Sequence, residues 1–79
     1  MYPRKALIAK IEGWVDIEFT ITEIGTVVNP RVVDSQPNRI FDREALKAIL
    51  RYKFKPKVVD GKAATQIATQ RIEFKLSKD

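Results

Sequence analysis

Between Trp14 and Ile21 apolar and polar side chains alternate without a break. Val15, Ile17, Phe19 and Ile21 fall on one side; Trp14, Asp16, Glu18 and Thr20 fall on the other. A period of two in β-branched and aromatic residues predicts a half-buried strand. Thr22-Glu23-Ile24-Gly25 then reads as a turn, with Gly25 free to take φ > 0. Thr26 to Asp34 returns as the hairpin partner. Pro30 has no N–H for a ladder, so this strand needs a bulge or a free side there. Its facing stays open between Val27/Val33 and Val28/Val32. From Gln66 to Leu76 the chain is extended again, with Ile72, Phe74 and Leu76 inward and Arg71, Glu73 and Lys75 outward.

Two segments carry the helical period instead. Pro3 suits a first helical position, where its missing N–H costs nothing. Ala6, Leu7, Ile8 and Ile11 supply an apolar side, and Gly13 is placed to end it. The expected helix runs from about Pro3 to Lys10. Asp42 is a good N-cap, with Phe41 and Leu46 as a hydrophobic staple around it. Ala45, Ala48, Ile49 and Tyr52 recur at three- and four-residue spacing, which carries this helix to about Tyr52. Pro56 and Gly61 bracket a loop. The order is helix, strand, strand, helix, strand over one domain, residues 1–79. The expected class is α+β, with two short helices on one face of a three-stranded antiparallel sheet.

Composition narrows what such a domain can do. Its 79 residues include no cysteine and no histidine. Disulfides, the commonest metal ligands and the commonest general base near neutral pH are therefore unavailable. No catalytic site, cofactor or metal is expected. A chain this short buries only roughly 60% of its unfolded surface, so its stability should be modest. The net charge of +5 favours acidic partners without naming one. No window approaches the 18 or so uninterrupted apolar residues of a membrane span. Met1 directly before Tyr2-Pro3 reads as the start of a soluble piece of something longer.

Catalytic patterns fail one by one. The two serines, Ser35 and Ser77, have no histidine to activate them. Asp16 and Glu18 form a carboxylate pair, which a solvated strand face explains better than acid–base chemistry. The basic run Arg51-Tyr52-Lys53-Phe54-Lys55-Pro56-Lys57 interleaves aromatics with cations, as single-strand nucleic-acid binders do. A plainer account points Tyr52, Phe54 and Pro56 into the core and the cations outward. Trp14, on the polar face, either anchors a partner or lies under a helix end; the second reading is preferred.

Taken in order, these residues resemble one family across essentially the whole chain. Tyr2-Pro3 before a short helix, then Ile11-Glu12-Gly13 into an alternating strand, looks like the opening of TonB C-terminal domains. Gly25-Thr26-Val27, Phe41-Asp42-Arg43-Glu44-Ala45, Tyr52-Lys53-Phe54-Lys55-Pro56 and Ile72-Glu73-Phe74-Lys75-Leu76 continue the match. Two departures stand out. Only Met1 precedes Tyr2, where family sequences commonly carry a glutamine nearby, and Tyr52 stands where many members have tryptophan.

The resemblance implies a non-catalytic periplasmic domain of an energy transducer anchored in the inner membrane of a Gram-negative bacterium. Such domains bind the TonB box and plug of outer-membrane receptors for siderophores, cobalamin and similar nutrients. An ExbB–ExbD-type motor, engaging the part of the protein absent here, supplies the energy. Binding is expected by strand addition along Gln66 to Leu76, with Thr69, Arg71, Glu73 and Lys75 setting register and charge contacts. Tyr2, Pro3, Arg4 and Lys5 carry over as contacts to the receptor plug. An ordinary solvated strand face, and simple helix initiation, account for the same residues. A free sheet edge also predicts a homodimer or strand swap. The rival readings are a TolA-like or other envelope adaptor of the same fold, and a small basic nucleic-acid-binding domain, although no nucleic acid is expected as partner.

Overall fold

Among the described residues, the strand with the unbroken alternation is the only one paired on both sides. In the computed structural model, which describes residues 2–76, β1 spans Gly13–Ile21. It lies between β2 (Val27–Gln36) and the C-terminal strand, Gln66–Phe74, both antiparallel to it. Val15, Ile17, Phe19 and Ile21 are all buried, as the period of two requires. Helix α1 (Arg4–Ala9) contributes Ala6 to the same core, and α2 (Asp42–Ile49) contributes Ala45 and Ile49. Both helices therefore cover one face of the sheet, and the α+β two-layer class holds. Ser77, one of the two serines considered above, lies outside the described residues.

The facing of β2 resolves in a way that neither simple alternation allowed. Val27 pairs with Ile21 and is buried, while Val32 pairs with Ile17 and packs against the core. A strict period of two cannot put residues five apart on one face. β2 has two register shifts, one between the Glu18 and Thr20 pairings, which reconciles Val27 with Val32, and one between Asp16 and Ile17. Asn29, at φ 52° beside Pro30, sits in the first. The second inserts Val33, so that Ser35 comes opposite Val15 and is buried. Proline's missing donor thus falls where the ladder is already interrupted.

All four helix ends also differ from expectation. Gly13 does not terminate α1. Lys10 does so at φ 58°, with Lys10 N–H donating to Leu7 O at 3.2 Å and Ile11 N–H to Ala6 O at 2.8 Å. This is a Schellman closure built without glycine. Pro3 is the N-cap, leaving Arg4 as the first helical residue. In α2 the N-cap is Phe41, and Asp42 is the first helical residue. Past Ile49 the bonds shorten to an i−3 pattern, Arg51 N–H to Ala48 O and Tyr52 N–H to Ile49 O, both at 3.1 Å. The helix therefore unwinds before Tyr52, whose ring is exposed. Phe54 does turn inward, stacking on Phe19 at 5.4 Å, and Pro56 is half-buried.

The segment read as a loop contains a second, separate sheet. Strands β3 (Lys57–Val59) and β4 (Lys62–Ala64) pair across Asp60-Gly61, at φ 52° and 79°. Positive φ at both central residues suits a two-residue hairpin turn, and Asp-Gly is among its preferred dipeptides. The strand Gln66–Phe74 is therefore β5 in chain order.

Gly13 and Gly25 are fixed by close approach. A Cβ on Gly13 would lie 2.0 Å from Gln36 O, where the end of β2 closes over the start of β1. A Cβ on Gly25, at φ 87°, would lie 2.1 Å from Phe54 O. Phe54 N–H also donates to Gly25 O at 2.9 Å, so this turn holds the chain leaving α2. Both obstacles are backbone atoms, which cannot rotate aside. Gly13→Ala and Gly25→Ala should each cost about 2–3 kcal/mol, read in a thermal melt as a fall of about 10–20 °C. A melt within a degree or two of the parent would refute the close packing at that turn.

Candidate functional site

The sheet has two edges, and they are built differently. The β2 edge is broken by two register shifts and carries Pro30. The β5 edge pairs with β1 in nine consecutive steps, from Gly13↔Phe74 to Ile21↔Gln66, with no shift and no proline. Among the described residues its outer side has no strand beside it. In an antiparallel pair alternate residues turn N–H and C=O away from the partner. β5 therefore presents a straight row of main-chain donors and acceptors to solvent.

The open face of the sheet holds that edge in place. Cross-strand rows run Gln36–Trp14–Glu73, Asp34–Asp16–Arg71, Arg31–Glu18–Thr69 and Val28–Thr20–Ile67. Opposed carboxylates at Asp34 and Asp16 would destabilise the ladder on their own. Arg71 relieves this from the other side of β1, its Nε donating to Asp16 Oδ1 at 2.7 Å and its Nη2 to Oδ2 at 3.0 Å. The same guanidinium lies 3.8 Å from the centroid of the Trp14 ring. Trp14 is thus half-buried under an arginine, and the expected helix end is not what covers it. Arg31 makes the neighbouring pair with Glu18 at 2.8 Å. The hydrogen bond from Arg71, reinforced by its charge, holds the Asp16 carboxyl below the usual carboxylate range.

Each residue singled out from the sequence has a definite place. Thr69, Arg71 and Glu73 share the open face of β5, and Lys75, beyond its end, pairs with Glu73 at 3.4 Å. Arg71 is committed to Asp16 and Trp14, so it ties β5 to β1. The Tyr2 ring packs edge-on against Phe41 at 5.4 Å and Phe74 at 5.8 Å. Its hydroxyl donates to Ile11 O, and burial, with Glu12 nearby, pushes its pKa up. The N-terminal segment is thereby brought against the C-terminal end of β5. Pro3, Arg4 and Lys5 line a cavity of about 550 Å³ together with Arg39 and Arg43. Those last two cations join the N-terminal group only in three dimensions, since the loop before α2 brings Arg39 there and the first turn of α2 brings Arg43.

The basic, aromatic run does not form a stacking platform. Phe54 is turned inward on Phe19, and Tyr52 alone keeps an exposed ring. No described helix is long and apolar enough to cross a membrane. No group of three or more metal-ligating side chains occurs among the described residues.

Comparison with known proteins gives this architecture a family. The model for the Gram-negative bacterial TonB protein C-terminal matches residues 1–76. The chain belongs to the TonB C-terminal domain family. It is 41% identical over 78 residues to Protein TonB of Pseudomonas aeruginosa, covering 99% of this chain and 23% of that protein. To Protein TonB of Escherichia coli it is 33% identical over 76 residues, covering 96% and 30%. The chain thus spans about a quarter of the length of these curated relatives. The solution structure of the Pseudomonas aeruginosa TonB C-terminal domain superposes with a TM-score of 0.81 at 40% identity, over 100% of this chain and 80% of that one. The TonB2 structure from Vibrio anguillarum gives 0.71 at 44% identity, over 99% and 74%.

The Arg71 clamp makes a pH-dependent prediction. A carboxyl with a lowered folded pKa contributes stability above its unfolded pKa and loses it as pH falls through the folded value. In a carboxyl NMR titration, Arg71→Gln should move the Asp16 midpoint up into the ordinary range. An Asp16 midpoint identical in both proteins would show that Arg71 does not hold it.

Proposed function

We propose that this TonB C-terminal domain binds an extended segment of outer-membrane receptors, the TonB box, by adding it as a strand alongside β5. The observation that carries this reading is the contrast between the edges: β2 is bulged and proline-interrupted, β5 is continuous over nine residues. Proteins commonly protect free edges with bulges, prolines and charges. A long regular edge left open beside a disrupted one suits strand addition. Main-chain groups supply the affinity, so partner sequences can vary. About five added hydrogen bonds, each worth a net ~0.5–1.5 kcal/mol, give roughly 3–8 kcal/mol. That corresponds to dissociation constants of about micromolar or weaker.

Weak, reversible gripping suits a transducer that serves several receptors in turn. In the full-length protein, the reading continues, an inner-membrane anchor and an ExbB–ExbD-type motor deliver proton-motive energy to the periplasm. The domain passes the resulting pull to the receptor plug during siderophore or cobalamin import. Pulling along the added strand loads its hydrogen bonds together, so a modest interface can transmit force. Tyr2, Pro3, Arg4 and Lys5, beside the C-terminal end of β5, are assigned to the plug. Thr69, Arg71, Glu73 and Lys75 are assigned to the register of the added strand, Arg71 by fixing β5 to β1.

Proline substitution along β5 tests the mode. Thr69 and Arg71 share one parity, Ala68 and Gln70 the other, so one set points its N–H groups at β1 and the other at solvent. Proline in the first set should unfold the domain. Proline in the second, placed at Thr69 rather than at the clamp residue Arg71 where that is the parity facing solvent, should leave the thermal melt near that of the parent and weaken a TonB-box peptide at least about ten-fold. Folded variants of both parities with unchanged peptide affinity would sink strand addition at this edge. The same edge should let the isolated domain self-pair, so sedimentation across a concentration series should show a dimer that the peptide competes away. Monomer at every concentration counts against it.

A further inference from the structure

The net charge of this domain is not spread over its surface. Residues 51–64 hold Arg51, Lys53, Lys55, Lys57 and Lys62 against the single carboxylate Asp60, a net +4 of the chain's +5. All five cations are exposed. Among the described residues none of them is ion-paired, whereas Arg31, Lys47, Arg71 and Lys75 each have a carboxylate partner. Among the described residues the cations of the sheet face are paired, while two groups are left uncompensated: this segment, and Arg4, Lys5, Arg39 and Arg43 around the cavity beside α1.

The segment's position gives that charge a direction. Phe54 is held to the β1–β2 turn by its bond to Gly25, and its ring lies on Phe19. β4 ends at Ala64, and only Thr65 separates it from Gln66, the first residue of β5. The cations therefore gather at the N-terminal end of the β5 edge. The opposite end is different: the cavity on the open face there is lined by Glu12, Glu73 and Lys75, with Lys75 paired to Glu73. The unpaired Arg4, Lys5, Arg39 and Arg43 line a separate cavity on the helix side of the sheet. A strand laid along β5 would have one terminus beside a cationic ribbon and the other beside a net-acidic rim.

We propose that the β3–β4 hairpin and the basic run before it form a docking surface for acidic residues flanking the segment that β5 receives, and so set which way round that segment lies. The proposal rests on strand addition at β5, which by itself tolerates many sequences and both directions. Charge at one end of the edge removes the second ambiguity, because the wrong direction places acidic residues against Glu12 and Glu73. An anionic bilayer is the less fitting partner, since the tip of the hairpin is Asp60 and would meet the lipid first. The added attraction is between exposed charges, so it should be strong at low salt and fade above physiological ionic strength.

The test uses three capped peptides sharing an uncharged nine-residue Thr/Val core: the core alone, the core with three glutamates before it, and the core with three after it. Affinities are measured at low and high salt against the domain and against a K53Q/K55Q/K57Q/K62Q variant, whose exposed substitutions should leave the melt unchanged. We expect one tailed peptide, and not the other, to bind about ten-fold tighter than the core at low salt. That gain should vanish in the variant and in about 0.5 M salt. Equal gains from both tails, no gain from either, or a gain that survives in the variant would overturn the inference. Tighter lysine-dependent binding to phosphatidylglycerol vesicles than to either tailed peptide would also overturn it, in favour of lipid. Failure of the uncharged core to bind at all would instead strike the strand-addition reading.

Discussion

One strand is paired on both sides, and everything else in this domain follows from that. β1 gives its apolar face to the only core and its two ladders to β2 and β5. Among the described residues there is no fourth strand in the sheet and no layer over its far face. A three-stranded sheet must then end in two free edges, each a hazard for uncontrolled pairing. The chain treats them unequally. Its irregularities, two register shifts and a proline, are concentrated on β2, while β5 is kept straight. An edge intended only to be tolerated would have been disrupted in the same way as its opposite.

Keeping β5 straight and exposed needs something to hold it without a strand on its far side. Core burial does part of this through Phe74 and, less completely, Ile72 and Ala68. The open face does the rest. The Arg71 guanidinium joins Asp16 by two hydrogen bonds and covers Trp14, so its charge, planarity and fork geometry are all in use. Lysine at this position could not make the paired contact. The clamp faces across the sheet, leaving the main-chain row along the rim clear. Side chains fix the strand and backbone remains available, a division of labour that suits a partner recognised mainly through its own backbone.

The fold was largely legible because its centre obeys a simple period. Alternation from Trp14 to Ile21 and the inward pair Ile72 and Phe74 identify β1 and β5 directly, and helical spacing finds Ala45 and Ile49. β5 ends at Phe74, however, and Leu76, expected inward, lies beyond it and outside the core. What escaped detection depended on context. Whether β2 buries Val27 with Val33 or Val28 with Val32 could not be settled by counting, since two bulges give Val27, Val32 and Ser35 instead. Lys10 closes α1 in the left-handed region, a role that local sequence assigns more naturally to glycine. The β3–β4 hairpin has a local signal, Asp60-Gly61 between Val58-Val59 and Ala63-Ala64, but its strands of three residues are too short for a period of two to set them apart from a loop bracketed by Pro56 and Gly61. At the candidate site, the sequence showed that Arg71 would face outward on β5. It could not show that Asp16, 55 positions away, would take both of its hydrogen bonds.

The charge distribution extends the same logic from geometry to specificity. Under the proposed strand addition, backbone pairing at β5 is a grip that most extended segments would satisfy, and a grip of that kind discriminates poorly between partners and between directions. Discrimination has to come from groups outside the ladder. On the sheet face they are unavailable, because Arg31 and Arg71 are already paired with Glu18 and Asp16. The cations of residues 51–64 are exposed and unpaired among the described residues, and they lie at one end of the edge only. A symmetric arrangement would add affinity without telling one direction from the other. Under that proposal the asymmetry would make the segment a determinant of orientation, and orientation would decide whether a pull on this domain reaches the near or the far end of an added strand.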